Sequence, residues 1–415
     1  MKTKNLLFFL PFMLLIIGCD QSQTNADVLE GSFSVSMPEP TKAIDSVELT
    51  TAQQTLSKAL NTFGFNLTEK LYTDKSIIVS PLSLYLALSM VEAGAEGETA
   101  GEIASVLGGD AQQVKAYSKS LLEQLPAVDL DVKVRLADAL VVNNQYKLKS
   151  DYKSIVEGYY YAPVENLSFA NRDAVLKLIN DWSFKNTNGL IPTILDTIED
   201  NDVAFLLNAL YFKGTWAMPY TDGQVRQKDF FGLTKKLDYL TEVGYGNYAD
   251  GGNYHIASRE YGNGKYRFYI LVPKEANGLK TMLASLKKVQ WGKLVAGMTT
   301  QYINLQFPKF ETESRFDLKE TLMALGIQKA FTSNAEFDTM FEGESIQVGK
   351  VIQKSKIKLD EFGTEAAAVT VVAMETGMGP GETSPIEVIA DHPFAYVIAE
   401  STSNTILFTG VFDGR

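Results

Sequence analysis

The sequence is poor in the residues on which most hydrolytic and metal-dependent enzymes rely. Among 415 residues it contains one cysteine, Cys19, and two histidines, His255 and His392. A single thiol excludes an internal disulfide. Catalytic triads need a histidine held beside a nucleophile, and neither a G-x-S-x-G turn nor histidine-rich metal spacing accompanies these two. A catalytic pair of carboxylates remains an alternative, because the chain contains 50 acidic residues. We expect most of these residues on the solvated surface. We therefore expect no enzyme, no metal and no cofactor.

Positive charge is scarce as well. The formal net charge is −12, from 38 lysines and arginines against 50 acidic residues, and no run of basic residues occurs. A surface of this kind repels phosphate backbones and anionic lipid head groups. The sequence therefore predicts no nucleic-acid partner.

The N-terminus is typical of a targeting signal rather than of a folded domain. Two lysines precede a short apolar run over residues 6–17, which is too short to span a bilayer as a helix and resembles a secretory signal. The run ends at Gly18-Cys19, which resembles a bacterial lipobox. A plain signal peptide with a chance cysteine is the alternative, but Cys19 is the only cysteine. We expect removal of residues 1–18, a lipid anchor on Cys19, and a place in the cell envelope, on the outer membrane or cell surface.

The rest of the chain divides into a tether and a globular part. Residues 19–50 are polar and acidic without a sustained period, which predicts a flexible tether. Residues 51–415 carry aliphatic and aromatic side chains throughout, with no repeat and no linker rich in proline or glycine. This length is enough for one large domain or two ordinary ones.

Hydrophobic spacing predicts helices mainly in the first half and strands mainly in the second. Helical periods and capping signals indicate helices at 56–71, after Ser80-Pro81, from a Thr99–Glu102 capping box, at 174–187 and at 314–325. Runs rich in β-branched and aromatic residues predict strands at 203–212, 266–272, 303–307, 351–359, 386–389, 394–398 and 406–412, with a hairpin turn at Asn263-Gly264. The fold class is α+β, with helices packed on large, mostly antiparallel sheets.

Segment 363–385, GTEAAAVTVVAMETGMGPGETSP, combines two unlike halves. The first is small and β-branched like a strand, and the second is rich in glycine, proline and short polar residues like an exposed loop. Alternate residues of a strand point to opposite faces. The even positions 364–374 are all uncharged, whereas Glu365 and Glu375 fall on odd positions. The segment is suited to bury one face and to leave the other in water.

Six stretches along the chain have recognisable motifs: SPLSLYLALSMVEAGAEGET, INDWSFKNTNGLI, NALYFKGTW, FPKFETESRFDLKETLMALGI, DEFGTEAAAVT and DHPFAYVIAESTSNTILFTGVF. In sequence and in order they resemble the motifs of the serpins, protease inhibitors that insert a cleaved loop into their own central sheet. The resemblance implies one serpin domain over residues 51–415, with an exposed reactive-centre loop at about 361–385.

The resemblance implies an endopeptidase inhibitor that acts as a suicide substrate. A protease cleaves the loop and forms an acyl-enzyme, and the loop then enters the sheet before the protease is released. The hinge that leads this movement comprises Glu361, Gly363, Thr364, Glu365, Ala366, Ala367, Ala368 and Val369. Because a buried charge would stall insertion, the small neutral residues favour an inhibitor. The alternative is a non-inhibitory serpin that serves as a protease substrate, carrier or interaction module.

The sequence gives two placements for the cleaved bond. Counting from the hinge or back from Pro393 leads to different residues, and the candidates are Gly377–Met378 first, then Met374, Glu375, Thr376 and Glu382. No lysine or arginine occurs in segment 363–385, which disfavours a trypsin-like target. We expect elastase-, chymotrypsin- or subtilisin-like proteases, with papain-like or glutamyl-specific proteases as alternatives.

Other family motifs imply structural roles. By resemblance, Trp216 lies beneath the point of loop entry, and Ser80 and Ser83 lie with Asn208 in the buried region where strands separate. Gln353 stands where many serpins carry a histidine. Glutamine both donates and accepts, so the hydrogen bonds can survive while their pH response is lost. The acidic chain offers no basic helix face for heparin-type activation, and we expect a monomer.

Overall fold

In the computed structural model, the described residues are 33, 36–343, 346–365 and 384–414. They form nine α-helices: α1 (Thr51–Leu71), α2 (Pro81–Glu92), α3 (Gly97–Leu107), α4 (Ala111–Gln124), α5 (Ser150–Tyr160), α6 (Arg172–Asn186), α7 (Leu279–Leu286), α8 (Trp291–Ala296) and α9 (Lys319–Leu325). None of these described helices combines the length and apolarity needed to cross a membrane.

The described residues also form fifteen strands. They are β1 (Ile77–Val79), β2 (Lys133–Asn143), β3 (Val164–Leu167), β4 (Ala204–Thr215), β5 (Val225–Lys228), β6 (Leu237–Asp250), β7 (Tyr254–Tyr261), β8 (Tyr266–Pro273), β9 (Thr299–Pro308), β10 (Phe310–Asp317), β11 (Ile352–Asp360), β12 (Gly363–Thr364), β13 (Ile386–Ile389), β14 (Phe394–Glu400) and β15 (Ile406–Phe412).

The strands build two sheets. The larger has the order β1-β15-β14-β8-β7-β6-β9-β13, with β5 beside β6, and the smaller has the order β10-β11-β12-β4-β2-β3. Two pairs, β13 with β9 and β2 with β3, are parallel, and the other pairs are antiparallel. Every strand predicted from the sequence is present, and the hairpin at Asn263-Gly264 joins β7 to β8.

Helix α2 begins where the sequence predicts it. Ser80 has extended backbone, and its hydroxyl accepts a hydrogen bond from the N–H of Ser83. Pro81 follows in the first turn, where a missing N–H costs nothing. The start of α2 thus fixes Ser80 and Ser83 close to the smaller sheet.

The predicted capping box at Thr99 and Glu102 is wrong. Helix α3 begins at Gly97, and its first turn has no side-chain cap. The hydroxyl of Thr99 instead accepts from the N–H of Glu336 at 3.0 Å, and the Glu102 carboxylate accepts from the N–H of Lys329 at 2.7 Å. Contacts with a distant segment therefore replace the local cap.

The predicted helix at 314–325 is confirmed only from Lys319 onward, in α9. Residues 310–317 form β10, which pairs with β11 along its whole length. Phe310, Thr312 and Ser314 are buried, and the residues between them are exposed. This alternation suits a strand with one covered face, and the pairing with β11 overrides the helical spacing.

The apolar core lies on both faces of the smaller sheet. Its inner face, which includes Leu210, Phe212 and Leu359, belongs to the main core shared with the larger sheet and α1 to α4. Its outer face packs against α6, where Trp182 belongs to a second cluster with Leu207 and other residues of β2 and β4. We refer below to these two surfaces as the inner face and the outer face.

The end of the predicted tether contacts the globular part. The N–H of Ile44 donates to the carbonyl of Ala127 at 2.9 Å, and the N–H of Val47 donates to the hydroxyl of Thr402 at 2.9 Å. The Val47 side chain is buried. Residues 44–50, which composition assigns to the tether, therefore lie against the domain.

Candidate functional site

The hinge strand β12 lies between β4 and β11 at one end of the smaller sheet. Thr364 is paired with Gly214 of β4 and with Leu359 of β11, and Gly363 takes the neighbouring position on both ladders. Both ladders are antiparallel. Two residues of the predicted hinge therefore already occupy a strand position inside the sheet.

Glycine is required where the hinge strand enters. Gly363 has a φ of 145°, which strains any side chain, and a Cβ there would collide with the carbonyl oxygen of Gly214. A Cβ on Gly214 would in turn lie 2.8 Å from the ring of Tyr261. The close approach of the two backbones thus depends on glycine at both positions.

Two aromatic rings support Thr364 on the inner face. The Thr364 side chain is only 3% exposed, and its hydroxyl lies 2.6 Å from the hydroxyl of Tyr261. The Tyr261 ring stacks on Trp216 with a centroid distance of 4.4 Å. The indole N–H of Trp216 donates to the carbonyl of Asp360 at 3.0 Å. Trp216 therefore lies directly beneath the hinge strand.

Glu365 continues the hinge and faces outward. Its N–H donates to the carbonyl of Lys358 at 3.0 Å, which extends the register with β11. Burial raises the pKa of the Glu365 carboxyl, while a hydrogen bond with Tyr211 and the charges of Lys213, Lys356 and Lys358 oppose that rise. The first glutamate of the alternating pattern thus lies on the outer face, among lysines.

Glu361 anchors the other side of the hinge. Its carboxylate lies 3.1 Å from the Lys309 ammonium, and its carbonyl accepts from the N–H of Tyr220 at 2.9 Å. Burial alone would raise the pKa of Glu361, but a backbone hydrogen bond and Lys309 lower it below its ordinary value. Glu361, the first residue of the predicted hinge, is therefore held by Lys309, between β9 and β10, and by Tyr220, between β4 and β5.

A second cluster joins α2 to β4 and β11 further along the sheet. The Gln353 amide accepts from the N–H of Ser80 at 3.1 Å and donates to the carbonyl of Ser80 at 2.8 Å. The Ser80 hydroxyl donates to the carbonyl of Leu407 at 2.8 Å, and the Ser83 hydroxyl donates to Asn208 Oδ1. The structure thus brings Ser80, Ser83, Asn208 and Gln353 together, and Gln353 fills both hydrogen-bonding roles without titrating.

Asp138 belongs to this cluster, although the family motifs do not point to it. Asn208 Nδ2 donates to Asp138 Oδ1 at 2.6 Å, and the two residues are directly paired across β2 and β4. The side chain is 3% exposed, and burial raises the pKa of Asp138 to about 7, against the hydrogen bond from Asn208. The signal in the sequence is a carboxylate on an inward position of the apolar run LADALVV.

Beyond the hinge strand, β4 and β11 face each other as open edges. The far side of β4 pairs with β2, and the far side of β11 pairs with β10. Among the described residues, the ladders that link β4 to β11 through β12 end at Thr364. The backbone groups along these edges have no strand partner in the described part of the chain, which makes them suited to accept one.

A cavity of about 230 Å³ follows the same path. Residues 201–208 line one side and residues 346–355 line the other, while Ser80 and Ser83 of α2 contribute to its wall. The cavity therefore extends from the level of Leu210 and Ser355, past Asn208 and Gln353, to the far end of both edges.

The remaining predicted site residues lie outside the described residues. They are Cys19, Ala366, Ala367, Ala368, Val369, Met374, Glu375, Thr376, Gly377, Met378 and Glu382.

Both histidines have structural partners. His255 Nδ1 lies 2.9 Å from the hydroxyl of Tyr248. His392 lies between the carboxylate of Asp391, at 2.7 Å, and the carbonyl of Pro273, at 2.9 Å. Neither set of contacts pairs the imidazole with a serine or threonine nucleophile.

Comparisons with known proteins agree with this geometry. A family model described as "Serpin (serine protease inhibitor)" matches residues 58–413. Serine protease inhibitor 42Dd of Drosophila melanogaster is 32% identical over 357 residues, which cover 83% of this chain and 93% of that protein.

Solved structures show the same fold. The thermophilic serpin Tengpin in its native state matches with a TM-score of 0.81 at 24% identity, covering 90% of this chain and 97% of that one. Serpin48 of the insect Tenebrio molitor matches with a TM-score of 0.77 at 27% identity, covering 88% and 99%. The predicted α+β class, with helices on large, mostly antiparallel sheets, is confirmed.

We predict that Thr364→Arg displaces the hinge strand. A guanidinium has no room above Tyr261, and the displacement would open the Trp216 indole to water. Tryptophan emission should shift to longer wavelength by several nanometres, since the indoles of Trp182 and Trp291 lie elsewhere in the core.

The matched control is Thr364→Val, which keeps the shape and removes only the hydroxyl. It should leave the emission unchanged and lower the free energy of unfolding by about 1 kcal/mol, because the Tyr261 hydroxyl loses its partner. An arginine variant with native emission would show that the hinge strand does not cover Trp216.

Proposed function

Because this chain belongs to the serpin family, we propose that it is an inhibitory member that traps serine endopeptidases. The observation that carries the proposal is the hinge strand. Gly363 and Thr364 are paired on both sides, while the edges of β4 and β11 beyond them have no described strand partner. A cleaved loop can extend the hinge strand one residue at a time.

The register of the hinge strand supports a match between the loop and the sheet. Continued along both ladders, it sets Ala366 between Phe212 and Ile357, whose side chains are 3% and 2% exposed. Ala368 would follow two positions on, beside Leu210. Small residues in the loop thus meet large residues of the inner face, where a bulkier strand would not fit.

The length of the two edges supports the first of the candidate bonds. The register sets Thr370 between Asn208 and Gln353, and the strands end at Ala204 of β4 and at Ile352 of β11, opposite loop positions 374 and 371. Because Gly377 lies nearer to these ends than Glu382 does, the edge length favours cleavage at Gly377.

Strand formation supplies the driving force. Each new backbone hydrogen bond contributes roughly 0.5–1.5 kcal/mol after the loss of water contacts. Summed over residues 366–374, the gain amounts to several kcal/mol or more. A native state with two open edges is therefore metastable with respect to the inserted state.

The trap follows from the timing of two steps. The protease's serine hydroxyl attacks the Gly377 carbonyl, the bond to Met378 breaks, and the Met378 amine leaves with a proton from the protease's catalytic acid. Gly377 stays on the protease as an ester. Insertion then moves that ester by on the order of 40 Å along the sheet. Displacement before water attacks the ester leaves the protease attached.

The composition of the loop supports a choice of targets. Segment 363–385 contains no lysine or arginine, so trypsin-like pockets have no cation to bind. Elastase-, chymotrypsin- and subtilisin-like proteases are the proposed targets, and papain-like enzymes are the first test outside the serine class. The large acidic excess of the chain further disfavours polyanionic activators.

We predict that the protein forms a covalent complex with elastase, chymotrypsin or subtilisin that survives boiling in detergent. Ala366→Glu should abolish the complex and turn the protein into a substrate, because this carboxylate would be buried beside Phe212 and Ile357. The measurement is the ratio of complex to cleaved chain on a denaturing gel, with mass spectrometry of the released peptide to locate the bond.

Ala367→Glu is the matched control. The register sets position 367 on the outer face between Tyr211 and Lys356, where a carboxylate stays compatible with its surroundings. This variant should keep most of the complex. Clean cleavage of the unmodified protein with active protease left over would contradict inhibition and support the substrate, carrier or interaction role.

We also propose that the protein is a lipoprotein of the bacterial cell envelope, anchored through Cys19. The support is the lipobox-like Gly18-Cys19 at the end of an apolar run and the use of cysteine at that position alone. The acidic stretch after it would hold the inhibitor away from the membrane surface. Proteases that attack the envelope are then its natural targets.

Expression of the full chain in a bacterial host tests this anchor. The unmodified protein should partition with membranes and carry a lipid mass on its N-terminal peptide. Cys19→Ala should release it into the soluble fraction with unchanged protease inhibition. Equal partitioning of the two proteins, without a lipid mass, would contradict the lipid anchor and favour a plain signal peptide.

A further inference from the structure

Asp138 is a buried carboxylate without a cationic partner. Its only hydrogen bond among the described residues comes from Asn208, to Oδ1, and Oδ2 has none. It takes part in none of the ion pairs of the described residues, and its side chain is 3% exposed. A buried ionised carboxylate in such surroundings is costly, since neither charge nor hydrogen bonds replace its lost hydration.

Asp138 accepts the last hydrogen bond in a series that connects α2, β4 and β2. The Ser83 hydroxyl of α2 donates to Asn208 of β4, and Asn208 donates to Asp138 of β2. The Asp138 carboxyl therefore orients the Asn208 amide, because Nδ2 is the only donor of that amide and Oδ1 accepts from it whether or not Oδ2 carries a proton. With Asn208 fixed in this way, β4 is held to α2.

The position of Asn208 connects these hydrogen bonds with loop insertion. Asn208 and Ser83 both line the cavity between the open edges, and the extended register brings Thr370 of the loop to Asn208. A loop that reaches this level therefore packs beside the Ser83–Asn208 contact.

We propose that Asp138 is a positioning residue for loop insertion, which acts by orienting Asn208 and which couples opening of the sheet to pH. The proposal rests on the proposed function, because insertion is the step that it controls. It assigns to an aspartate of β2 the pH response that Gln353 of β11 cannot provide.

The direction of the pH effect follows from the surroundings of Asp138. Burial raises the pKa of Asp138 to about 7, whereas an unfolded carboxyl titrates near 4. The folded protein therefore holds a proton that the unfolded chain releases, and its stability falls as pH rises from about 4 to about 7. Movement of β4 away from α2 brings water from the cavity to the carboxyl, so ionised Asp138 favours opening.

Other titratable groups face the same part of the core. Helix α5 presents Tyr160, and α2 presents Tyr85 and Glu92. Burial raises the pKa of both tyrosines far above neutrality, so they stay uncharged. Burial also raises the pKa of Glu92 to about 8, and its two carboxyl oxygens have no hydrogen-bond partner in the described part of the chain. Glu92 is the group whose titration has to be separated from that of Asp138.

The test uses the intact protein and a labelled synthetic peptide with the sequence of residues 364–377, TEAAAVTVVAMETG. Uptake of the peptide between the open edges needs no protease, so the pH profile of a protease does not enter. Uptake should be at least about threefold faster at pH 8 than at pH 6, and at most about tenfold faster per pH unit, since one proton is linked.

Asp138→Asn is the decisive variant, because an amide of the same shape does not titrate. It should reduce the pH effect on uptake to less than about twofold. It should also reduce the fall of the unfolding midpoint of the intact protein between about pH 4 and about pH 7. Asp138→Ser serves as a second neutral variant in case the asparagine does not fold.

Glu92→Gln is the matched control, with a carboxyl that is equally buried but bonded to no residue of β4. It should flatten the unfolding midpoint above pH 7 and leave the pH effect on uptake in place. An equal pH effect on uptake in Asp138→Asn, or an effect of opposite sign, overturns the proposal while insertion itself stands. No uptake by the unmodified protein at any pH overturns insertion, and with it the role of Asp138.

Discussion

The rest of the structure depends on two strand edges that face each other, those of β4 and β11, which have no strand partner beyond Thr364 in the described part of the chain. Backbone N–H and C=O groups at a sheet edge favour a partner strand, and an open pair of such edges inside one sheet is a source of free energy. Among the described residues, the hinge strand pairs with both edges at Gly363 and Thr364, and Glu365 adds one hydrogen bond to β11. The protein is thus folded around a strand position that its own sequence can fill.

This constraint explains why residues far apart in the chain have matching properties. The glycines at 363 and 214 let two backbones meet, and the stacked pair Trp216 and Tyr261 supports the strand that enters between them. Further along the sheet, Ser83 of α2 donates a hydrogen bond to Asn208 of β4 at the wall of the cavity between the two edges. The contacts at the hinge and the contact at Asn208 are therefore separate, and they lie at different levels of the same sheet.

The sequence predicts the polarity of the loop well and its surroundings less well. Strand alternation predicts that Thr364 is buried and that Glu365 is left in water. Thr364 is buried as expected, whereas Glu365 lies on the outer face but is only partly exposed, beside Tyr211 and several lysines. Within the helix expected at 314–325, residues 314–317 form a strand, because pairing with β11 outweighs local spacing there, and the helix begins only at Lys319. The sequence motifs do not identify Asp138. An aspartate in an apolar run can be assigned a role only when β2 is known to pair with β4, which sets Asp138 beside Asn208. Long-range pairing decided both cases, and no local pattern encodes it.

Hydrogen exchange of the backbone amides along the two open edges tests the account most directly. The intact protein and a preparation cleaved in the loop would be compared over residues 204–211 of β4 and 352–357 of β11. The account predicts fast exchange at edge amides of the intact protein and strong protection after cleavage, with strands away from these edges unchanged. Equal exchange before and after cleavage would show that no strand enters between β4 and β11, and it would contradict the account.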